Sequence, residues 1–264
     1  MYDFNYHKPA SLDAALETFE GSDDGQFMAG GQTMIPVMKQ RLAMPSDVID
    51  LGAIETLNGI CVDSGVVSVG AMTPHAAVAV SDAVRGAIPA LAELAGRIGD
   101  PHVRNRGTIG GTIANSDPAA DYPAAVLGLN ATVRTNRREI IADDFFINLF
   151  ETALDEGELI TAVDFPVADA AAYEKFENPA SRFALAGVMV CRTGATVRVA
   201  VTGAGPCAFR ATEMEHALAA DFRPGALEGI SIDPDGLNTD IHASAEYRAH
   251  LVGVLAGRAV KRVA

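Results

Sequence analysis

Two short segments of the chain each place a pair of glycines beside side chains that can form hydrogen bonds. They read Ala29-Gly30-Gly31-Gln32-Thr33 and Thr108-Ile109-Gly110-Gly111-Thr112. Glycine has no Cβ and tolerates positive φ, so the backbone amides of such turns can approach an anion closely. A diphosphate needs several N–H donors at short range, and the two segments together indicate a dinucleotide site. Either pair alone is more simply explained as an ordinary turn.

The elements around the first glycine pair suit such a site. The stretch Phe27-Met28-Ala29 predicts a strand that enters the turn, and residues 34–42 predict a helix that ends before Pro45. Amides at the start of that helix would point at bound phosphate. The second pair lies within residues 99–123, which are rich in Gly, Pro, Asn, Asp and Ser and poor in apolar residues. We therefore predict a long ordered loop there.

The rest of the chain alternates helical and extended patterns. Helices are predicted after a Ser11 cap with a stop at Gly21, after Thr73-Pro74, and over residues 90–95, 211–219 and 243–259. Strands are predicted over residues 48–50, 131–135, 159–165, 188–191 and 197–202, with a hairpin turn at Asp63-Ser64-Gly65. An alanine-rich connection at residues 168–172 predicts a boundary before a new lobe.

Composition excludes several classes of function. The 264 residues carry a formal net charge of −14, which argues against nucleic acid and acidic membrane surfaces as partners. No apolar run approaches the ~20 residues that span a bilayer, and the first residues do not form a secretory signal, so we predict a cytoplasmic protein. Three scattered cysteines and six scattered histidines give no disulfide framework, iron–sulfur motif or paired metal-ligand spacing.

A third glycine-rich segment competes for the role of dinucleotide site. Residues 203–208, Gly-Ala-Gly-Pro-Cys-Ala, match the nicotinamide fingerprint in a formal sense. Pro206 removes an amide donor, and no strand–helix–strand unit with an acidic ribose ligand about 20 residues on surrounds the segment. The sequence therefore favours a structural turn here over a nicotinamide site.

Three longer segments carry a resemblance to a known family. They are residues 28–36 (MAGGQTMIP), 104–123 (RNRGTIGGTIANSDPAADYP) and 240–251 (DIHASAEYRAHL). Together they resemble the FAD-binding medium subunit of molybdenum hydroxylases, the family of carbon monoxide and xanthine dehydrogenases, over nearly the whole chain. The resemblance implies an α+β protein with a vanillyl-alcohol-oxidase-like (PCMH-type) FAD-binding fold. Its expected units are two α/β subdomains, residues 1–52 and 53–167, and a C-terminal sheet-and-helix domain, residues 173–264.

The same resemblance implies roles for individual residues. The two glycine turns would wrap the FAD pyrophosphate, Ile113 would lie against the isoalloxazine face, Asp121 would bind the polar flavin or ribityl edge, and Lys175 would lie near the flavin. The implied FAD-binding residues are Ala29, Gly30, Gly31, Gln32, Thr33, Met34, Thr108, Ile109, Gly110, Gly111, Thr112, Ile113, Asn115, Asp117, Asp121 and Lys175. No catalytic or metal-binding residue is implied.

Plainer interpretations of some of these residues stay open. Ile113 is equally an ordinary core residue, Asp117 a cap for the turn at Pro118, and Lys175 a solvated strand residue. Arg104 and Arg106 either contact the cofactor or a partner, or pin carbonyls of their own loop.

The implied function is electron transfer. FAD would take electrons from two iron–sulfur clusters on a small subunit, which receives them from a molybdopterin cofactor on a large subunit, within a dimer of heterotrimers. FAD would then pass them to an external acceptor. This sequence departs from the family at Gln32 and Thr33, where histidine and serine are common. It also departs at Ser181-Arg182-Phe183, where the aspartate of the family's Arg-Asp-Phe is missing. Two alternatives are a stand-alone FAD-dependent oxidoreductase of the same fold and a cofactor-free scaffold subunit.

Overall fold

Residues 1–52 form a small parallel sheet with two helices. The computed structural model describes all 264 residues, and the elements of this part are β1 (Asn5–His7), α1 (Leu12–Glu20), β2 (Gly25–Met28), α2 (Met34–Lys39) and β3 (Asp47–Asp50). The strands pair in the order β1-β3-β2. The Ser11 hydroxyl accepts from the Ala14 amide and caps α1, as its sequence predicts. Helix α2 ends at Lys39, three residues before the predicted end, and Arg41 then takes a positive φ of 61°.

The next part of the chain builds an antiparallel sheet with a layer of short helices. Its strands are β4 (Ile60–Asp63), β5 (Val66–Gly70), β6 (Thr132–Thr135), β7 (Glu139–Ile141), β8 (Phe146–Asn148), β9 (Glu151–Thr152) and β10 (Ile160–Pro166). Its helices are α3 (His75–Val80), α4 (Asp82–Ala87), α5 (Pro89–Gly96), α6 (Pro101–Arg106), α7 (Ile109–Asn115), α8 (Tyr122–Gly128) and α9 (Ala142–Phe145). Five strands pair in the order β4-β5-β10-β6-β7, and β8 pairs with β9. The predicted β4–β5 hairpin is confirmed.

The prediction of a long loop over residues 99–123 was wrong, because α6, α7 and the start of α8 occupy most of it. Each helix begins at a polar cap or a proline. The Asp100 carboxylate accepts from the His102 and Val103 amides with Pro101 in the first turn, and the Thr108 hydroxyl accepts from the Gly111 amide. Residues that usually interrupt regular structure are helix-start signals here, since caps satisfy the first free amides.

The C-terminal part packs an antiparallel sheet against two helices. Its elements are β11 (Ala170–Glu177), β12 (Ala184–Thr193), β13 (Thr196–Thr202), β14 (Phe209–Arg210), α10 (Thr212–Ala220) and α11 (Ala245–Val263). The predicted alanine-rich connection was wrong from Ala170 onward, where the chain already pairs with β12. Pairing and burial override the weak strand propensity of alanine, and Ala172 is buried in the core beneath α11. The division into units 1–52, 53–167 and 173–264 stays a prediction.

The largest hydrophobic cluster joins the central sheet and helices to one face of the C-terminal sheet. Helix α8 packs closely against the C-terminal sheet, since a Cβ on Gly128 would lie 2.6 Å from Cγ of Met189 on β12. A second cluster fills the space between the C-terminal sheet and helices α10 and α11. None of the helices combines the length and the apolar character needed to cross a bilayer.

Candidate functional site

A cavity of about 1140 Å³ lies where the two glycine turns meet. It exceeds the roughly 300–1,000 Å³ typical of small-molecule sites. Its walls come from β2 and α2, from α3 and α6–α7, from the stretch before β10, and from the turn at residues 180–183. A long ligand can therefore contact all three parts of the chain at once.

The two glycine turns form one wall of this cavity. A Cβ on Gly30 would lie 2.0 Å from the Arg106 carbonyl oxygen, and a Cβ on Gly111 would lie 3.2 Å from Cβ of Ala29. Gly31 adopts a φ of +70°, which other residues rarely take. A side chain at Gly30 would clash with backbone atoms and one at Gly111 would crowd Ala29, so small residues let these two segments, about 80 residues apart in sequence, meet in the cavity wall.

The turns differ in the donors they offer. The amides of Gly30, Gly31, Gln32 and Thr33 have no acceptor within the protein. In the second turn the Gly110 amide donates to the Ala71 carbonyl at 2.8 Å and the Gly111 amide to the Thr108 hydroxyl at 3.1 Å. The first turn therefore has the longer row of free amides, and the contact of both turns with a diphosphate stays a prediction.

The cavity wall is acidic apart from these donors. Five carboxylates line it, and Arg182 is its only lysine or arginine; the acids are Asp24, Asp100, Asp117, Asp121 and Glu158. Asp117 also accepts from the Ala119 amide at 2.8 Å, so the plainer turn-cap interpretation is correct for this residue as well. An anion in the cavity would therefore depend on neutral backbone donors, with Arg182 as the only cationic side chain in the wall.

Asp121 lies at the junction of the cavity and a buried polar cluster. Its carboxylate accepts from the Tyr173 hydroxyl at 2.5 Å and from the Lys175 ammonium at 3.0 Å. Lys175 also donates to the Arg97 carbonyl at 3.2 Å, and its side chain has no exposed surface. Burial raises the pKa of the Asp121 carboxyl above its ordinary value, while Lys175 and Tyr173 act in the opposite direction.

All but three of the sixteen candidate residues line the cavity, the exceptions being Ile109, Ile113 and Lys175. Ile113 is fully buried in the largest core cluster, so the plainer core interpretation describes it better than contact with a flavin face. The alternative interpretation of Lys175 as a solvated strand residue was wrong, since its side chain is buried and donates to Asp121. Arg104 pins the carbonyls of Ile98 and Gly99, the plainer of its two interpretations.

Several cavity residues escaped the sequence analysis. They include His75, Asp100, Leu154, Glu158 and Ile160. Only Asp100 carried a local signal, the cap-then-proline order before Pro101; the others reach the cavity through strand pairing and helix packing. The segment at residues 203–208 does not line the cavity, and the Gly203 carbonyl accepts from buried Arg248, as befits a structural turn.

Glu158 gives a prediction on stability. Its carboxylate accepts from Arg138, from the Thr135 hydroxyl and from the Asp155 amide, and the hydrogen bond from Arg138 does most to lower its pKa to about 2. The stability that ionised Glu158 contributes is present above the ordinary carboxyl pKa and is lost as the pH falls toward 2. We expect Glu158→Gln to lower the urea midpoint at neutral pH, with a smaller difference from wild type as the solution is acidified. The control is Glu156→Gln, at an exposed position. A difference in urea midpoint between Glu158→Gln and wild type that does not change with pH would contradict the lowered pKa of Glu158.

These features are those of a dinucleotide-binding protein in which two glycine turns close one side of a long cavity. The family described as "FAD binding domain in molybdopterin dehydrogenase" matches residues 2–168. The chain therefore belongs to this FAD-binding family of molybdopterin dehydrogenases, and its cofactor is FAD.

Comparisons over the full length agree. The chain is 33% identical to the glyceraldehyde dehydrogenase medium chain of Sulfolobus acidocaldarius, over 99% of both chains. It is 36% identical to the nicotine 6-hydroxylase medium subunit of Paenarthrobacter nicotinovorans, over 97% of this chain and 95% of that one. The reconstituted CO dehydrogenase of Oligotropha carboxidovorans superposes with a TM-score of 0.88 at 32% identity, over 99% and 97% of the chains. The expected α+β, PCMH-type fold is thereby confirmed.

The residues present fit FAD. Gly30 and Gly111 leave space that a Cβ would fill, and four consecutive unpaired amides lie beside that space. Such a set of donors suits a diphosphate. The ionised acids of the wall have no hydrogen to donate to phosphate oxygens.

Proposed function

We propose that this chain is the electron-exit subunit of a molybdenum hydroxylase: it holds FAD, receives electrons from iron–sulfur clusters of a partner subunit and passes them to an external acceptor. The observation that carries the proposal is the row of unpaired amides from Gly30 to Thr33, which lies beside the second glycine turn in the cavity wall. Bound FAD supplies the electron-accepting chemistry, and the protein supplies binding, orientation and electrostatics.

The chain's residues divide this work along the cavity. The amides of Gly30–Thr33 bind the diphosphate, with Thr108 and Thr112 at the facing turn. Asn115, Asp117 and Asp121 also line the cavity, where they would orient the polar parts of the flavin or the ribityl chain. Lys175 acts on the cofactor only through Asp121, whose carboxylate it holds in place.

The partners that we propose are a small iron–sulfur subunit and a large molybdopterin subunit, in a cytoplasmic dimer of heterotrimers. Relatives with the names "medium chain" and "medium subunit" support a chain that works beside others. Within this chain, residues 1–52 and 53–167 would be the two FAD-binding subdomains and residues 173–264 the C-terminal domain. Each unit would contribute one of the three larger sheets.

A second candidate is a stand-alone flavoenzyme of the same fold. The observation in its favour is the turn at Ser181-Arg182-Phe183, which lines the cavity and leaves half of Phe183 exposed. A small donor could reach a bound flavin past such an apolar, lightly charged edge.

Purification tests both candidates. We expect the chain, co-expressed with its neighbouring subunits, to elute as a larger complex with the visible absorption of flavin and iron–sulfur clusters. The isolated chain should bind FAD, and small organic donors should leave that flavin oxidised until the partner subunits are added. Reduction of the flavin by a small donor in the isolated chain would replace the electron-exit proposal by the stand-alone one. An isolated chain that never binds FAD would refute both.

A further inference from the structure

His75, the first residue of α3, lies between that helix and the second glycine turn. It is 2% exposed and lines the cavity. Its backbone amide donates to the Gly107 carbonyl at 3.0 Å, and a Cβ on Gly107 would lie 2.6 Å from the ring atom Nε2. The imidazole is therefore held against the backbone that leads into the second turn.

The two ring nitrogens of His75 have different surroundings. Nε2 lies 3.4 Å from the hydroxyl oxygen of Thr112, whereas Nδ1 is buried without a hydrogen-bond partner. The ring also contacts that of Tyr122, with centroids 5.4 Å apart. Burial, with a smaller effect from Arg104, lowers the pKa of His75 to about 4, so the imidazole is neutral near pH 7 and carries a single N–H.

The surroundings determine which nitrogen carries that proton. Nδ1 has no partner in either tautomer, so the choice is between a buried unpaired N–H and a buried unpaired lone pair; the unpaired N–H is the rarer case in proteins, and a proton on Nε2 has the Thr112 oxygen as its acceptor. We therefore assign the Nε2–H tautomer. Thr112 then accepts from His75, and its own hydroxyl hydrogen has no protein acceptor, although the residue lines the cavity.

We propose that His75 is a positioning residue for cofactor binding: its Nε2–H fixes the Thr112 hydroxyl as a donor to the diphosphate of FAD. The inference rests on the proposed function, in which FAD occupies this cavity. It gives the second turn a donor of its own, whereas its Gly110 and Gly111 amides are already used within the protein.

The first test measures the Kd of FAD for the full-length chain by titration of flavin fluorescence. Loss of a hydrogen bond to a charged group should raise the Kd roughly 10- to 100-fold in Thr112→Val, while Thr112→Ser, which keeps the hydroxyl, stays within about twofold of wild type. His75→Asn should weaken binding because its amide cannot reach the Nε2 position. His75→Gln places an amide nitrogen near that position and should restore most of the affinity.

A double substitution separates positioning from general packing. If His75 acts through Thr112, His75→Asn combined with Thr112→Val should bind FAD no more weakly than Thr112→Val alone. Additive losses, or a His75→Gln variant as weak as His75→Asn, would overturn the proposal and leave His75 with a packing role.

A measurement on the wild-type chain keeps the proposal open to refutation even if the His75 variants do not fold. The ¹⁵N shifts of the His75 ring should report a proton on Nε2, and a proton on Nδ1 would overturn the assignment. Failure of the wild type to bind FAD would refute the proposed function together with this inference. Normal FAD binding with unaffected Thr112 and His75 variants would refute the inference alone.

Discussion

Replacement of Lys175 by methionine is expected to destabilise the folded protein by about 3–5 kcal/mol near pH 8, because it leaves a buried carboxylate without its counter-ion. Asp121 is fully buried, and Lys175 is its only charged partner within hydrogen-bond distance. The Tyr173 hydroxyl remains as a donor to the carboxylate but brings no charge. The free energy of unfolding, measured by urea denaturation, checks the prediction.

The loss in this variant should depend on pH in a defined direction. Without the ammonium group, burial holds the pKa of Asp121 well above that of an unfolded aspartate. The folded state then favours the protonated acid, so stability is greatest below the ordinary carboxyl pKa and falls as the pH rises through the raised value. The difference from wild type should therefore be smaller at about pH 5 than at about pH 8.

Two further variants make this result specific. Asp121→Asn in the Lys175→Met background should recover part of the loss, because a neutral amide can still accept from Tyr173. Lys8→Met removes an exposed lysine that lies 4.0 Å from Asp50, and should change stability by less than about 1 kcal/mol. An equal deficit at both pH values, or a double variant no more stable than Lys175→Met, would contradict a buried ion pair at this position.

Several local signals predicted the structure correctly, whereas the caps within residues 99–123 were interpreted as a loop. The Ser11 cap, the stop at Gly21 and the hairpin at residues 63–65 all form as predicted. The glycine turns also predicted their cavity, because a turn without Cβ atoms is itself the feature that a diphosphate needs. The cap, the helix end and the hairpin require no knowledge of distant parts of the chain, whereas the meeting of the two glycine turns does.

Features that depend on distant partners were harder to predict. Nothing near Gly110 indicates that its amide is taken by the Ala71 carbonyl, 39 residues earlier. Nothing near Lys175 indicates that it is buried and paired with the Asp121 carboxylate, 54 residues earlier. Likewise, His75 meets Thr112 only because α3 and α7 pack together beside the second turn. Long-range pairing thus determines which candidate residues touch a ligand and which support those that do.

The structure also explains how so acidic a chain can bind an anion. A net charge of −14 and five carboxylates in the cavity wall would repel a diphosphate from a site that relied on opposite charge. Oriented amides lie within hydrogen-bond reach of their ligand, whereas exposed charges are screened over about 8 Å. The first glycine turn can therefore bind an anion despite the negative field, provided that its amides keep their geometry.

Replacement of Gly30 by valine should disrupt this geometry most directly. Its Cβ would lie 2.0 Å from the Arg106 carbonyl oxygen and 2.9 Å from Cα of Gly107, both backbone atoms that cannot rotate away. The two turns must then separate, which misdirects the amides of Gly31, Gln32 and Thr33. Because each hydrogen bond to a charged group contributes roughly 1.5–3 kcal/mol, loss of two of them raises the Kd of FAD by more than about 100-fold.

Gly86→Val is the matched control for this experiment. Gly86 is exposed on α4, and an added Cβ there has no neighbour within 4 Å. Titration of FAD should show near-complete loss of binding in Gly30→Val and wild-type affinity in Gly86→Val, with circular dichroism confirming that both variants are folded. A folded Gly30→Val protein that binds FAD as tightly as wild type would show that the junction of the two turns is not the diphosphate site. The unpaired amides of the first turn would then need another ligand to explain them.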